Sequence, residues 1–272
     1  MRDSAAYEEN MIIDTHSHYD DAVFDEDRDT ILNNLKSEGV ELVVDVGADL
    51  KGCRSILNMI EKYDNVYGAL GIHPDGITEL VEQGIEDETV NWIKEECLKN
   101  SLNKIVAVGE IGLDYYYPDP VRDIQIEWFE KQLELAGEVK MPVIIHSREA
   151  AKDTYDIMKA HHADKLGGIV HCFSYSKEMA KNFIDMGFYI GIGGVLTFKN
   201  ARKLIEVVEY IPMDTIVLET DCPYLAPVPV RGTRNYSANI RYVVEKISDI
   251  KGISVEDVID ITSKNACRVY NI

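Results

Sequence analysis

Ile12-Ile13-Asp14-Thr15-His16-Ser17-His18 is an apolar run that ends in two histidines two positions apart. In an extended strand residues i and i+2 point to one face, so both imidazoles face the same way. Four further runs end on the same kind of residue: Val106-Ala107-Val108-Gly109-Glu110, Val143-Ile144-Ile145-His146, Gly168-Ile169-Val170-His171 and Ile216-Val217-Leu218-Glu219-Thr220-Asp221. Isolated buried charges are costly, so metal-type side chains closing buried strands point to one convergent site.

Apolar runs suited to strands recur eight times, at 11–16, 41–47, 65–72, 105–111, 142–147, 167–173, 188–193 and 215–220. They are continuously apolar, as strands covered on both faces are. Helical stripes lie between and after them: Ile126, Phe129, Leu133, Ala136; Ala201, Leu204, Ile205, Val208; Ile240, Val243, Val244, Ile247. Less regular segments near 28–37, 52–63, 89–99, 149–161 and 177–186 fill the other gaps. A last helix starts at Ser254, where Ser254-Val255-Glu256-Asp257 resembles a capping box, and ends near Tyr270. The expected fold is α/β, a single-domain (β/α)₈ TIM barrel over 11–272 behind a short tail at 1–10. An open doubly wound sheet is the rival, but no GxGxxG follows the first strand. The ligand candidates end strands 1, 4, 5, 6 and 8, and only a closed ring brings those ends around one point.

The chain has 272 residues, 46% of them hydrophobic, and a net charge of 28 − 48 = −20. That charge disfavours a broad nucleic-acid grip, which draws on clustered Lys and Arg. No apolar stretch reaches the length of a membrane span, and Met1 to Asn10 lacks a signal peptide's apolar region. Five scattered cysteines without CxxC spacing fit a reducing cytosol, so a cytoplasmic location is expected. Cys172 and Cys222 each follow a candidate ligand, and strand alternation predicts that they point away and pack.

An HxH pair alone is weak evidence for a metal, and a lone His such as His146 or His171 is more often structural. Glu110 and Asp221 fit helix caps or loop ion pairs equally well. Coincidence decides: six suitable residues, all at strand ends. His161-His162, at the end of a helix, reads as solvated.

Five segments carry a family resemblance. They are Ile13-Asp14-Thr15-His16-Ser17-His18, Gly71-Ile72-His73-Pro74, Val108-Gly109-Glu110-Ile111-Gly112-Leu113-Asp114, Pro142-Val143-Ile144-Ile145-His146-Ser147-Arg148 and Leu218-Glu219-Thr220-Asp221-Cys222-Pro223-Tyr224-Leu225-Ala226-Pro227. Together they resemble the TatD-type metal-dependent deoxyribonucleases over about Met11 to Tyr270. One departure is visible: where the family commonly has Glu-Pro, this chain has Tyr236-Ser237 after Arg231-Gly232-Thr233-Arg234-Asn235.

The resemblance implies hydrolysis of DNA phosphodiesters, often from the 3′ end, with mainly single-stranded DNA ends as partner and no membrane or obligate protein partner. It also implies metal roles for His16, His18, Glu110, His146, His171 and Asp221. His16, His18 and Asp221 would hold one divalent ion, His146 and His171 another, with Glu110 bridging. Two ions about 3.5–4 Å apart clamp the attacking and leaving oxygens, and Asp221 can take a proton as general base. Ligand softness suits Zn²⁺, Mn²⁺ or Fe²⁺, whereas the resemblance suggests Mg²⁺. His73 suits either a structural turn or a contact with substrate phosphate. Glu219 suits a partner of a ligating His. Arg148, Arg231 and Arg234 are either phosphate forks or solvated loop residues. Tyr115-Tyr116-Tyr117-Pro118 either stacks a terminal base or packs under its loop, which Asp114 would position. Related amidohydrolases that act on amides, lactones or phosphotriesters often bridge their metals with a modified lysine; Glu110 stands there instead. An ester on RNA, such as a misacylated tRNA handled by a D-aminoacyl-tRNA deacylase, is the alternative substrate. A scaffold without activity fits poorly with six intact ligands.

Overall fold

The eight apolar runs form eight parallel strands in a computed structural model that describes residues 11–118 and 121–272. The tail at 1–10 lies outside the described residues. The strands are β1 (Ile12–Ser17), β2 (Val40–Val46), β3 (Val66–Leu70), β4 (Ile105–Asp114), β5 (Val143–Arg148), β6 (Gly168–Val170), β7 (Phe188–Ile192) and β8 (Ile216–Leu218). Each pairs with the next in sequence order. Closure comes where Ser17 bridges Cys222 in parallel and the Asp221 N–H donates to the His16 carbonyl at 3.0 Å. The chain is a single-domain (β/α)₈ barrel.

Among the described residues the α-helices are α1 (Arg28–Asn34), α2 (Leu50–Lys62), α3 (Ile77–Gln83), α4 (Glu86–Lys99), α5 (Arg122–Val139), α6 (Ala151–Ala160), α7 (Lys177–Asp185), α8 (Arg202–Tyr210), α9 (Arg241–Lys251) and α10 (Val255–Tyr270). Burial follows the stripes: Phe129, Leu133 and Ala136 on α5, and Val243, Val244 and Ile247 on α9, are buried. Side-chain oxygens of Asp49, Ser176 and Ser254 accept from the first-turn N–H groups of α2, α7 and α10, supplying partners that helix starts lack. The Ser254 cap includes the Asp257 N–H, as the capping-box pattern predicts. Helix α3 has no counterpart in the sequence reading. It is one short stretch with only Ile77 and Leu80 buried, and Gly84 stops it in the left-handed conformation at φ 65°.

Two apolar layers hold the ring. One lies between strands and helices. The other joins Ile13, Val44, Ala69, Ala107, Ile144, Ile169 and Val217 inside the barrel, with Tyr270 of α10 against it. All ten residues of β4 are buried. Its Glu110 and Asp114 are thus polar groups in a strand with no wet face.

Two glutamines on α5 fix the strand ends that carry the site. Gln125 and Gln132 are buried and seven positions apart, which is about two turns and therefore one face. Gln132 accepts from the Ile72 N–H at 2.7 Å and donates to the Ile72 carbonyl at 3.0 Å. Gln125 makes the same double bond to the Asp114 backbone, at 2.8 Å each way. In the sequence both read as polar interruptions of an apolar stripe.

Gln132→Leu keeps the volume but removes both partners of Ile72 in a dry environment. Leaving two buried groups unpaired costs on the order of 2–4 kcal/mol, so urea denaturation should give a midpoint lowered accordingly. An unchanged midpoint would show that Ile72 is not held through this clamp.

Candidate metal centre

The HxH pair on β1 behaves as strand geometry dictates. His16 Nε2 and His18 Nε2 lie 3.1 Å apart. Asp221, after β8, brings Oδ1 to 3.4 Å from His18 Nε2 and 3.8 Å from His16 Nε2. From β4, Glu110 turns one oxygen to each side: Oε2 is 3.5 Å from His16 Nε2, while Oε1 is 2.8 Å from His146 Nδ1 and 3.8 Å from His171 Nε2. The His16 and His171 rings stack with centroids 3.5 Å apart. All six strand-end residues therefore meet.

A surrounding layer sets which ring nitrogen is free. His18 Nδ1 faces the Val46 carbonyl at 2.9 Å. A carbonyl only accepts, so Nδ1 carries a hydrogen and Nε2 is the nitrogen left to face an ion. Glu219 does the same for His171, its Oε2 accepting from Nδ1 at 3.1 Å, while its Oε1 accepts from the Cys172 N–H at 2.7 Å. Asp114 Oδ2 holds His146 Nε2 at 3.1 Å, which leaves Nδ1 facing Glu110. Such outer partners orient ligating imidazoles. Gly191 on β7 supplies the room: a Cβ there would stand 2.2 Å from Glu219 Oε2. Asp14, fully buried, accepts from the N–H groups of His16 and Thr220 and from the hydroxyls of Thr220 and Ser237. The Tyr236-Ser237 departure is absorbed here, since Ser237 is part of this network. Burial raises the Asp14 pKa to about 6 even so.

The electrostatics favour a cation. Burial alone would make Glu110 hard to ionise, yet His16, His171 and His146 hold its pKa well below the usual range. Burial would also lower His18, His146 and His171, but the carboxylates outweigh it and raise them to about 10, about 9 and about 9. His16 goes the other way, lowered by burial and by His171. Bare lone pairs of two imidazoles 3.1 Å apart repel unless a proton or a cation lies between them. Atoms about 2.0–2.2 Å from one tetrahedral ion sit roughly 3.3–3.6 Å from each other, within the 3.1–3.8 Å spread of spacings among His16, His18 and Asp221. The residues fit a metal.

His18, Glu110, His146, His171 and Asp221 floor a cavity of about 810 Å³, which also takes in His73, Asp114, Arg148, Tyr117 and Tyr224. His73 Nδ1 accepts from the Asp75 N–H at 3.1 Å. Burial and His146 lower its pKa to about 3. The ring is neutral and, with Nδ1 accepting, its Nε2 carries the hydrogen and can donate; with Asp114 and His146 it also forms a group whose ligand atoms lie within 4.8 Å of one another. Arg148 lies on the cavity wall, its guanidinium 3.9 Å from the Tyr116 ring centroid. Arg231 and Arg234 do not line the cavity. Arg231 stacks on Phe198. Arg234 forks onto Asp27, at 2.9 and 2.5 Å, and donates to the Val23 carbonyl, tying the last loop to the first. Tyr115 packs at the core edge and donates to Asp153, while Tyr116 and Tyr117 are exposed. Asp114 accepts from the Tyr116 N–H at 2.9 Å and so positions that loop.

One expectation needs correction. Cys222 is buried in the core, but Cys172 does not point away. Its φ of 44° is left-handed, which ends the strand alternation, and its sulfur joins His171 and Asp221 in a group whose ligand atoms lie within 4.8 Å of one another. His161 stands apart, beside Glu130 and Glu134.

Metal ligation needs neutral imidazoles, whereas His18, His146 and His171 hold protons up to about pH 9–10 without an ion. Loading at pH 7 should release two to three protons per chain, about one from each such ring. Affinity should rise with pH until those rings are neutral. Calorimetry in buffers of different ionisation enthalpy reads the count, and zero release would contradict this ligand set.

The profile of the family described as "TatD related DNase" matches residues 13–271. "Uncharacterized metal-dependent hydrolase YabD" of Bacillus subtilis (strain 168) is 42% identical over 262 residues, 96% of this chain and 100% of the relative. "Uncharacterized metal-dependent hydrolase YcfH" of Escherichia coli (strain K12) is 33% identical over 265 residues, 96% of each chain. The crystal structure of YJJV, a TatD homologue from Escherichia coli K12, superposes with a TM-score of 0.87 at 29% identity, covering 96% of this chain and 98% of that one. With a profile match along nearly its whole length and the metal-type residues gathered at one barrel mouth, this chain belongs to the TatD-related DNase family of metal-dependent hydrolases.

Proposed function

We propose that this protein hydrolyses phosphodiester bonds at DNA ends, trimming mainly single strands from the 3′ side with two divalent ions, Mg²⁺, Mn²⁺ or Zn²⁺. The observation that carries the reading is Glu110, whose Oε2 faces His16 while Oε1 faces His146 and His171. A carboxylate so divided suits two cations, with His16, His18 and Asp221 on one side and His146 and His171 on the other. When bound, such ions polarise phosphoryl oxygens and acidify water.

The chain's own groups do the rest. Asp221 has a pKa below the usual carboxylate range, because His18 and His171 outweigh its burial. Ionised at neutral pH, it accepts the proton of the attacking water. His73 donates its Nε2–H to a phosphoryl oxygen and keeps doing so across the working pH range, since it stays neutral. Arg148 adds a fixed positive charge at the wall. Two divalent ions bring +4 against −2 from Glu110 and Asp221, so the floor attracts a phosphate although the chain is acidic.

One observation favours a second reading. Asp20, Asp21, Asp49 and Asp75 also line the cavity, and carboxylates suit the ammonium group of an aminoacyl ester on RNA. Side-by-side turnover of end-labelled DNA and D-aminoacyl-tRNA separates the two. Cleavage of the tRNA ester alone would overturn the nuclease reading.

DNA cleavage should stop with EDTA and return with Mg²⁺ or Mn²⁺. Glu110→Gln keeps the shape but loses the charge shared between two ions, and should fold while losing at least 100-fold in kcat, roughly what one well-placed electrostatic group contributes. His161→Ala should be silent. Near-normal turnover of Glu110→Gln with full metal occupancy would remove Glu110 as the bridge.

Because Arg148 and Lys51 are the two Lys or Arg side chains that line the cavity among the described residues, few phosphates are neutralised. A slope of about −0.7 per phosphate on single strands gives a log–log salt slope of roughly −1 to −2. A slope several times steeper would point to an extended groove.

A further inference from the structure

Resting on the nuclease reading, we infer that Tyr117 and Tyr224 form a two-sided clamp for the terminal, unpaired base of a single-stranded DNA end. The strand order runs β1 to β8 around the ring, so the loops after β4 and β8 are four strands apart and face each other across the mouth. Tyr117 follows β4, Tyr224 follows β8, and both line the cavity above the carboxylates and imidazoles. They are 48% and 56% exposed, too open to be explained as core packing.

Each ring is braced. Tyr117 meets Tyr116 edge-on with centroids 4.9 Å apart, and the Arg148 guanidinium lies over both rings. The Tyr224 hydroxyl donates to Asp21 Oδ2 at 3.1 Å. Braced aromatic rings lose little freedom on stacking. The exposed Val23, Tyr116, Val121 and Val228 stand on the same three loops, after β1, β4 and β8, so these loops carry apolar groups beside their acidic ones.

Charge selects the occupant. With Asp20, Asp21, Asp49 and Asp75 in its cavity, the mouth repels phosphates beyond those the ions, Arg148 and Lys51 hold. A nucleobase is neutral and presents a π-face to each tyrosine. Base–aromatic stacking is strong enough to replace the missing phosphate contacts. The nucleotide chain then leaves on the Arg148 side, away from Asp20 and Asp49.

The test compares single-stranded oligonucleotides that are intact with ones whose terminal residues are stable abasic analogues, each with Mn²⁺ and with chelator. For the unaltered protein, kcat/KM should favour the intact strand by about 5- to 100-fold, the worth of one stacked base. Tyr117→Leu and Tyr224→Leu should each drop the intact strand toward the abasic level, and Tyr117→Phe and Tyr224→Phe should restore it. In Glu110→Gln, a terminal 2-aminopurine should be quenched on binding, and quenching should be lost when Tyr117→Leu is added. Equal, chelator-sensitive cleavage of both strands overturns the clamp and leaves the nuclease reading standing. Cleavage of neither strand with metal present overturns both.

Discussion

Everything at the mouth of this barrel depends on the Glu110 carboxylate. It is buried within a strand that is covered on both faces, where an unpaired charge is costly. Four imidazoles and a second carboxylate gather around it. Without a cation the cluster stays ionised only because protons on His18, His146 and His171 stand in for one. Apolar side chains of similar size would close the barrel with less electrostatic cost. The arrangement is therefore explained by what it binds, not by what it adds to stability.

Around that group lies a ring of polar residues that bind nothing themselves. Glu219 orients His171, Asp114 orients His146, and Asp14 ties the β1 and β8 ends together through Thr220 and Ser237. Gln125 and Gln132 hold the ends of neighbouring segments through both backbone groups of one residue. Two backbone positions at the site are left-handed without being glycine: Cys172 at φ 44° and Asp221 at φ 57°. Such conformations persist where surrounding bonds over-determine them. At Asp221 the bond from its N–H to the His16 carbonyl does so, and at Cys172 the bond to Glu219 does.

The barrel and its six convergent side chains were legible because both follow from strand periodicity and from where a polar residue ends an apolar run. Glu219 was legible for the same reason, two residues before Asp221 on one face. What failed is what periodicity does not encode. Cys172 turns inward because its backbone leaves the strand conformation. Arg234 resembles a phosphate fork in sequence, yet Asp27, 207 positions away, takes its guanidinium. The two glutamines and Asp14 look like interruptions of apolar stripes, since their partners are backbone groups on other elements. Helix α3 was missed because seven residues give too short a stripe to register.

Under the proposed nuclease function, the acidity of the chain and the anionic character of DNA are reconciled by scale. At about physiological salt, exposed charges more than roughly 8 Å apart are largely screened, so most of the −20 is invisible from the cavity floor. Under that proposal a substrate meets a short-range field set by bound cations, Arg148 and Lys51, bounded by Asp20, Asp49 and Asp75. That field rewards one phosphate and penalises a run of them. In the same proposal the carboxylates at the mouth, not the wider exterior, filter substrate geometry: an end that enters with a single phosphate leading is admitted, whereas a duplex laid across the mouth meets Asp20, Asp49 and Asp75.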